Sequence, residues 1–175
     1  DHVIADAHNG LLDWLERSYS IKPSMMPGQR FRDVLSADQY TALSARLETS
    51  EFFFNLKPLE SSIETLELLQ RNHEVFITTA AMFVPNSFGA KYEWIKKYYS
   101  FFEPKRIVFC GDKSIISADY LIDDHVHNFE NFEGRGLLFS ALHNELDSWP
   151  DRLSDWNDIG SFNFYFLFVY LKPLD

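Results

Sequence analysis

Apolar positions recur along this chain with two different periods. Near the start, Ala7, Leu11, Trp14 and Leu15 follow the i, i+4, i+7, i+8 spacing of one helical face. The residues just before them, "DHVIAD", read as the end of a strand. Two prolines and a glycine in "IKPSMMPGQRF" break the helical pattern and mark a loop. Helical spacing returns over residues 36–50, with Tyr40, Leu43 and Leu47 on one side, and "EFFFNLKPL" follows as an aromatic loop or short helix closed by Pro58. Ser61 and Glu64 have capping-box spacing, and Ile63, Leu66 and Leu69 carry a helix on to Asn72.

Beyond residue 72 the period changes. "EVFITTA" is β-branched and aromatic, as a strand should be. "NSFGAKYEWIKKYYSFF" is a helix with Phe88, Tyr92, Ile95 and Tyr99 aligned. "RIVFC", "YLIDD" and "GRGLLFS" are strands, with "GDKS" a turn after the first of them. Strands alternating with helices and short connections predict an α/β fold, a Rossmann-like parallel sheet flanked by helices. The helical residues 10–57 interrupt it after the first strand as a small inserted cap would. That divides the chain into a core of residues 1–9 and 58–175 and a cap of 10–57.

Composition narrows the picture without changing it. A chain of 175 residues suits one domain with a small insertion. A hydrophobic fraction of 46%, with 17 Phe and 4 Trp, excludes a disordered chain. The net charge of −10 argues against a nucleic-acid polymer or an anionic membrane as partner, while leaving room for a local basic pocket that holds a phosphate. A single cysteine, Cys110, rules out an internal disulfide and fits a reducing cytoplasm. No basic leader precedes the first apolar residues. The longest apolar run, "FNFYFLFVYL", is shorter than the roughly 20 residues a bilayer requires and reads as a buried or interface segment.

Ligands of open parallel sheets bind at the carboxyl ends of the strands. Asp1 and Asp6 follow the first strand here, Thr78 and Thr79 the second, Lys113 the third, and Asp123 and Asp124 the fourth. Two adjacent carboxylates at the end of a buried strand repel each other and need an opposing charge. A lysine and a hard divalent cation such as Mg²⁺, which prefers oxygen ligands and often shares a substrate phosphate, would both serve.

These residues resemble the haloacid dehalogenase-like phosphohydrolases, and among them the 5'(3')-deoxyribonucleotidases. "DHVIAD" is similar to the tail of the family's first motif, Asp-x-Asp-x-(Val/Thr)-(Leu/Ile)-Ala-Asp. "VFITTAAM" resembles the second, with Thr79 at its hydroxyl position. "FCGDKSIISADYLIDD" resembles the joined third and fourth, with Lys113 as the lysine and Asp123–Asp124 as the acidic pair. "KYEWIKKYY" resembles the helix between them. Aligned in this way, Asp1 is the second aspartate of the first motif, and the nucleophilic first aspartate lies two residues upstream, outside this numbering.

The resemblance implies a Mg²⁺-dependent phosphatase, hydrolysing deoxynucleoside monophosphates through an aspartyl-phosphate as part of deoxyribonucleotide catabolism. Asp1 would be acid/base and, through its carbonyl, a metal ligand. Asp124 and Asp123 would complete the metal site. Thr79, the Ala80 and Ala81 backbone N–H groups and Lys113 would hold the phosphoryl group. Phe52 and Phe53, with Phe54, would wall a nucleobase pocket or, equally, fill the cap core. Each residue also has an ordinary reading: Asp1 a solvated end, Thr79 a strand residue, Lys113 a turn lysine, Asp6 a helix N-cap and Cys110 a core residue. His125 and His127 with Asp124 form a weaker transition-metal alternative. The rival functions are a phosphatase for another small ester and a non-catalytic phosphate- or protein-binding relative; the preferred base, the 5' or 3' position and a homodimer stay open.

Overall fold

The computed structural model describes residues 2–161, so Asp1 and the aromatic tail from residue 162 lie outside the described residues. Its five described strands pair in parallel. β1 (Ile77–Thr79) runs beside β2 (Ile107–Phe109), pairing Ile77 with Ile107 and Thr79 with Phe109. β3 (Tyr120–Asp123), β4 (Arg135–Phe139) and β5 (Arg152–Leu153) form a second group, in which Asp123 stands beside Leu138 and Leu138 beside Arg152. The parallel α/β expectation holds, with the strands in two sheets instead of one. β5 was not foreseen, because "DRLS" carries too few apolar residues to signal a strand.

The opening segment departs from expectation. Residues 2–6 make one isolated antiparallel bridge, Ala5 to Pro58, flanked by bonds from the Leu59 N–H to the Ile4 carbonyl and from the Asp6 N–H to the Lys57 carbonyl, each 2.9 Å. Pro58 has no N–H to give, which limits this pairing to a bridge.

Helix α1 (Ala7–Tyr19) starts on Asp6, whose carboxylate accepts from the Asn9 N–H at 3.2 Å, in agreement with the N-cap reading. After α2 (Phe31–Val34), α3 (Ala37–Leu47) has a reciprocal box between Ser36 and Gln39, and α4 (Ser50–Phe54) is capped by Thr49. The box foreseen at Ser61 does not form. Ser61 sits at φ 60° and its side chain makes no cap hydrogen bond to α5 (Ser62–Leu69), while the Ser62 hydroxyl meets the Tyr99 hydroxyl at 2.7 Å.

In α6 (Ser87–Tyr98) the inward face runs through Ser87, Ala90, Trp94 and Ile95, so of the foreseen stripe Ile95 and Tyr99 are buried, Tyr92 is half-buried and Phe88 lies at the surface. Trp94 decides this: it is the largest apolar group on the helix, and its indole N–H reaches the Leu56 carbonyl at 2.7 Å. The links from β2 to β5 contain only 3-10 turns, at Lys113–Ile115, Val126–Phe129 and Leu142–Asn144. Gly136 lets β4 pass under one of them, since a Cβ there would collide with the Phe129 ring.

A single apolar cluster joins Leu11, Leu15, Leu43, Phe52 and Phe53 to Ile77, Trp94, Leu137 and Phe139. The inserted helices therefore share a core with the sheets. Among the described residues no helix is long and apolar enough to cross a membrane.

Candidate active site

The pairing of β3 with β4 carries Asp123 and Asp124 to the strand end and buries both, at 2% and 6% exposure. They are satisfied very differently. Oδ1 of Asp123 accepts from the His125 backbone N–H and from Asn128 Nδ2, both at 2.9 Å. Its Oδ2 forms an ion pair with the Lys113 ammonium, whose side chain is only 12% exposed. Lys113 is thus the counter-charge that makes a carboxylate tolerable there, and it is not the solvated turn lysine of the ordinary reading.

Asp124 faces imidazoles instead. Its Oδ2 lies 3.1 Å from His125 Nδ1 and 3.4 Å from His143 Nε2, yet it is buried and accepts no well-aligned hydrogen bond. Its backbone is held firmly: the Asp124 carbonyl accepts from Asn144 Nδ2 at 2.8 Å, and the same amide reaches the Phe139 carbonyl at 2.8 Å. Asn144 is fully buried and is itself fixed by Arg152 Nη1 at 3.0 Å.

Burial alone would raise the Asp124 carboxyl, but the His125 contact and the His2 and His125 rings hold it well below the usual range. The same contact raises His125 above its ordinary value. Burial lowers His143, and lowers His2 to about 3, so these rings stay neutral at pH 7. A buried carboxylate oxygen with no aligned donor fits a cation ligand, whereas both Asp123 oxygens are already engaged.

At the end of β1, the Thr79 hydroxyl accepts from Lys91 Nζ at 3.3 Å, and the chain passes through Ala80 into the turn Ala81–Phe83. Lys91 rises from α6 and lies 4.6 Å from the centre of the Phe53 ring. Burial, together with repulsion from Lys113, lowers its pKa to about 8. Two lysines therefore converge on the strand ends. Phe52 and Phe53 are core residues here, 3% and 4% exposed, because α4 packs flat on α6. Only Phe54 of the triplet is exposed. Cys110 is buried in the strand region, as its ordinary reading has it.

A cavity of about 490 Å³ opens beside Asp124, on the imidazole side. Arg30, Phe31 and Tyr40 line it from the inserted helices, and His2, His143 and Trp156 from the other side. Thr79, Lys113, Phe52 and Phe53 are not on its wall. Sequence reasoning missed Lys91, Asn128, His143 and Asn144. Lys91 stood inside a quoted motif without a role. The other three carry no signal at the sequence level, because their partners are 5 to 20 residues away.

The family model described as 5' nucleotidase, deoxy (pyrimidine), cytosolic type C protein matches residues 1–164. A relative from Staphylococcus aureus (strain Mu50) is 35% identical over 161 residues, which cover 91% of this chain and 89% of its own. A 5'(3')-deoxyribonucleotidase of Bacillus subtilis (strain 168) is 35% identical over 164 residues, 91% of this chain and 92% of its own. The protein of the same name from Bacillus phage SPbeta matches to the same extent.

Proposed function

Since the chain belongs to the deoxy (pyrimidine) cytosolic type C 5'-nucleotidase family, within the haloacid dehalogenase superfamily, we propose that it hydrolyses deoxynucleoside monophosphates through an aspartyl-phosphate. The observation that carries this reading is the pairing at the end of β3. One carboxylate is locked to a buried lysine and its neighbour keeps an open oxygen, beside a strand end with a threonine and a second lysine.

In this reading an aspartate two residues before Asp1 attacks phosphorus. Asp1 protonates the leaving oxygen and then takes a proton from water. Thr79, the Ala80 backbone N–H and the Lys113 and Lys91 ammonium groups hold the phosphoryl oxygens. Asp123 takes no ligand of its own and fixes Lys113. Asp124, with Asp1, would hold Mg²⁺, which when bound supplies charge neutralisation at the phosphoryl group.

The inserted residues 10–57 act as the cap. Their Phe31 and Tyr40 side of the cavity suits a nucleoside in size and character, since ligand pockets run from about 300 to 1,000 Å³. The family description and the lone cysteine support a cytoplasmic setting.

The test is phosphate release from a panel of deoxynucleotides, ribonucleotides and sugar phosphates, with Mg²⁺ and with excess chelator. Magnesium-dependent turnover that favours deoxynucleotides is expected. Preference for a sugar phosphate would transfer the mechanism to another substrate, and full turnover in chelator would overturn the metal assignment.

A further inference from the structure

We propose that His2, His143 and Asp124 form a binding site for a transition-metal ion of the Zn²⁺ class, sharing one carboxylate with the Mg²⁺ site and placed to block it. The three residues come from the opening segment, the turn after β4 and the end of β3, and their ligand atoms all lie within 4.8 Å of one another. Tetrahedral Zn²⁺ has bonds of about 2.0–2.1 Å, which puts its donors roughly 3.4 Å apart, so side-chain rotation alone can close the set. The His2 and His143 rings are 5.2 Å apart at a tilt of 59°, and both line the open cavity, so an ion has a route in.

The orphaned Oδ2 of Asp124 is a second and independent sign. It is buried, lies 3.1 Å from His125 Nδ1 and 3.4 Å from His143 Nε2, and accepts an aligned hydrogen bond from neither. The donor chemistry then selects the ion. Two neutral imidazoles and one carboxylate suit Zn²⁺, Co²⁺ or Cu²⁺, whereas Mg²⁺ takes oxygen ligands and holds to its waters. His143 Nε2 now lies 3.1 Å from the Asp124 carbonyl, so capture at that nitrogen places the ring proton on Nδ1. Asn144, bonded to the same carbonyl at 2.8 Å, keeps Asp124 in place while the ring turns. His125, whose Nδ1 lies 3.1 Å from the same oxygen and whose ring centre is 4.7 Å from that of His143, neighbours the triad without belonging to it.

The chemistry predicts inhibition. An ion bound this way occupies the Asp124 oxygen that the proposed hydrolysis needs. The site itself can be tested without turnover, so its failure is distinguishable from failure of the nucleotidase reading.

The full chain is stripped with chelator and titrated with Co²⁺ alone, following the visible bands of low-coordinate cobalt, and then challenged with Zn²⁺. One ion per chain with tetrahedral-type bands, displaced by Zn²⁺, is expected. His2→Ala and His143→Ala should each weaken affinity by about 100-fold or more, at or above the loss usual for a supporting residue. His73→Ala, outside the cluster, should leave it unchanged. Circular dichroism of the metal-free variants verifies folding, and the smaller change His143→Gln repeats the measurement if His143→Ala does not fold. Weak, octahedral-type cobalt binding, or equal affinity in the parent and both histidine variants, would overturn the site.

Discussion

The two sides of the Asp123–Asp124 pair are built from opposite materials. On the lysine side every carboxylate oxygen is engaged: Lys113, Asn128 and the His125 N–H close around Asp123. On the histidine side Asp124 is gripped by its backbone, through Asn144, while its Oδ2 is left without an aligned donor. Adjacent residues with the same chemistry thus take different tasks. Which carboxylate can accept a ligand is decided by which one the fold leaves unsatisfied, and a sequence cannot report that.

The largest expected effect breaks the pair apart. Asp124→Asn should cut turnover by about 10³-fold or more, since it removes charge from the proposed metal site, while melting little changed. Asp6→Asn should leave turnover nearly intact, because Asp6 caps α1. Phosphate-release rates together with thermal melts check both, and equal losses in rate would mean that the acids are misassigned.

Next comes the buried ion pair. Asp123→Asn and Lys113→Met should each lower stability by about 3–5 kcal/mol, the usual cost of leaving one buried partner alone. The double variant should lose less than the sum of the two. Lys113→Met should also slow turnover per folded molecule by about 10²-fold. Additive losses in a chemical-denaturation cycle would show that the two charges do not depend on each other.

Much of this contrast was legible in advance, and the rest was hidden for identifiable reasons. The positions of β1 to β4 followed from apolar and β-branched runs, whereas the opening strand and β5 did not, and the order of Thr79, Lys113 and Asp123–Asp124 pointed to phosphate chemistry. Periodicity buried Ile95 and Tyr99 correctly but misplaced Phe88, because it weighs Phe88 and Trp94 alike, whereas Trp94 has a carbonyl to bond inside. The Ser61 box failed on a left-handed backbone that spacing does not encode. The aromatic triplet was ambiguous, and the structure buries two of its three rings. Phe53→Ala should accordingly cost about 3 kcal/mol in denaturant unfolding. Rates on a deoxynucleotide and on p-nitrophenyl phosphate should fall in parallel; a loss confined to the nucleotide would return Phe53 to the substrate pocket.

The smallest expected effect concerns Lys91, a second cation on the lysine side, which sits on Thr79 and the Phe53 face. Burial and Lys113 hold its pKa at about 8, against about 10.4 for an unperturbed lysine. Between those values the unfolded chain binds more protons than the native one, so Lys91 adds stability as pH rises through this window. Activity should move the other way. If its ammonium helps hold the phosphoryl group, kcat/KM should begin to fall as pH passes about 8, where the folded protein loses that charge. Lys91→Arg keeps a positive charge across the whole range and should abolish this alkaline limb. Lys91→Ala should lower kcat/KM by about tenfold at neutral pH, roughly 1.4 kcal/mol, and should also remove the limb. A pH–rate profile of the three proteins decides it: an alkaline limb that survives unchanged in both variants would assign it to another group and leave Lys91 a packing residue between α6 and α4.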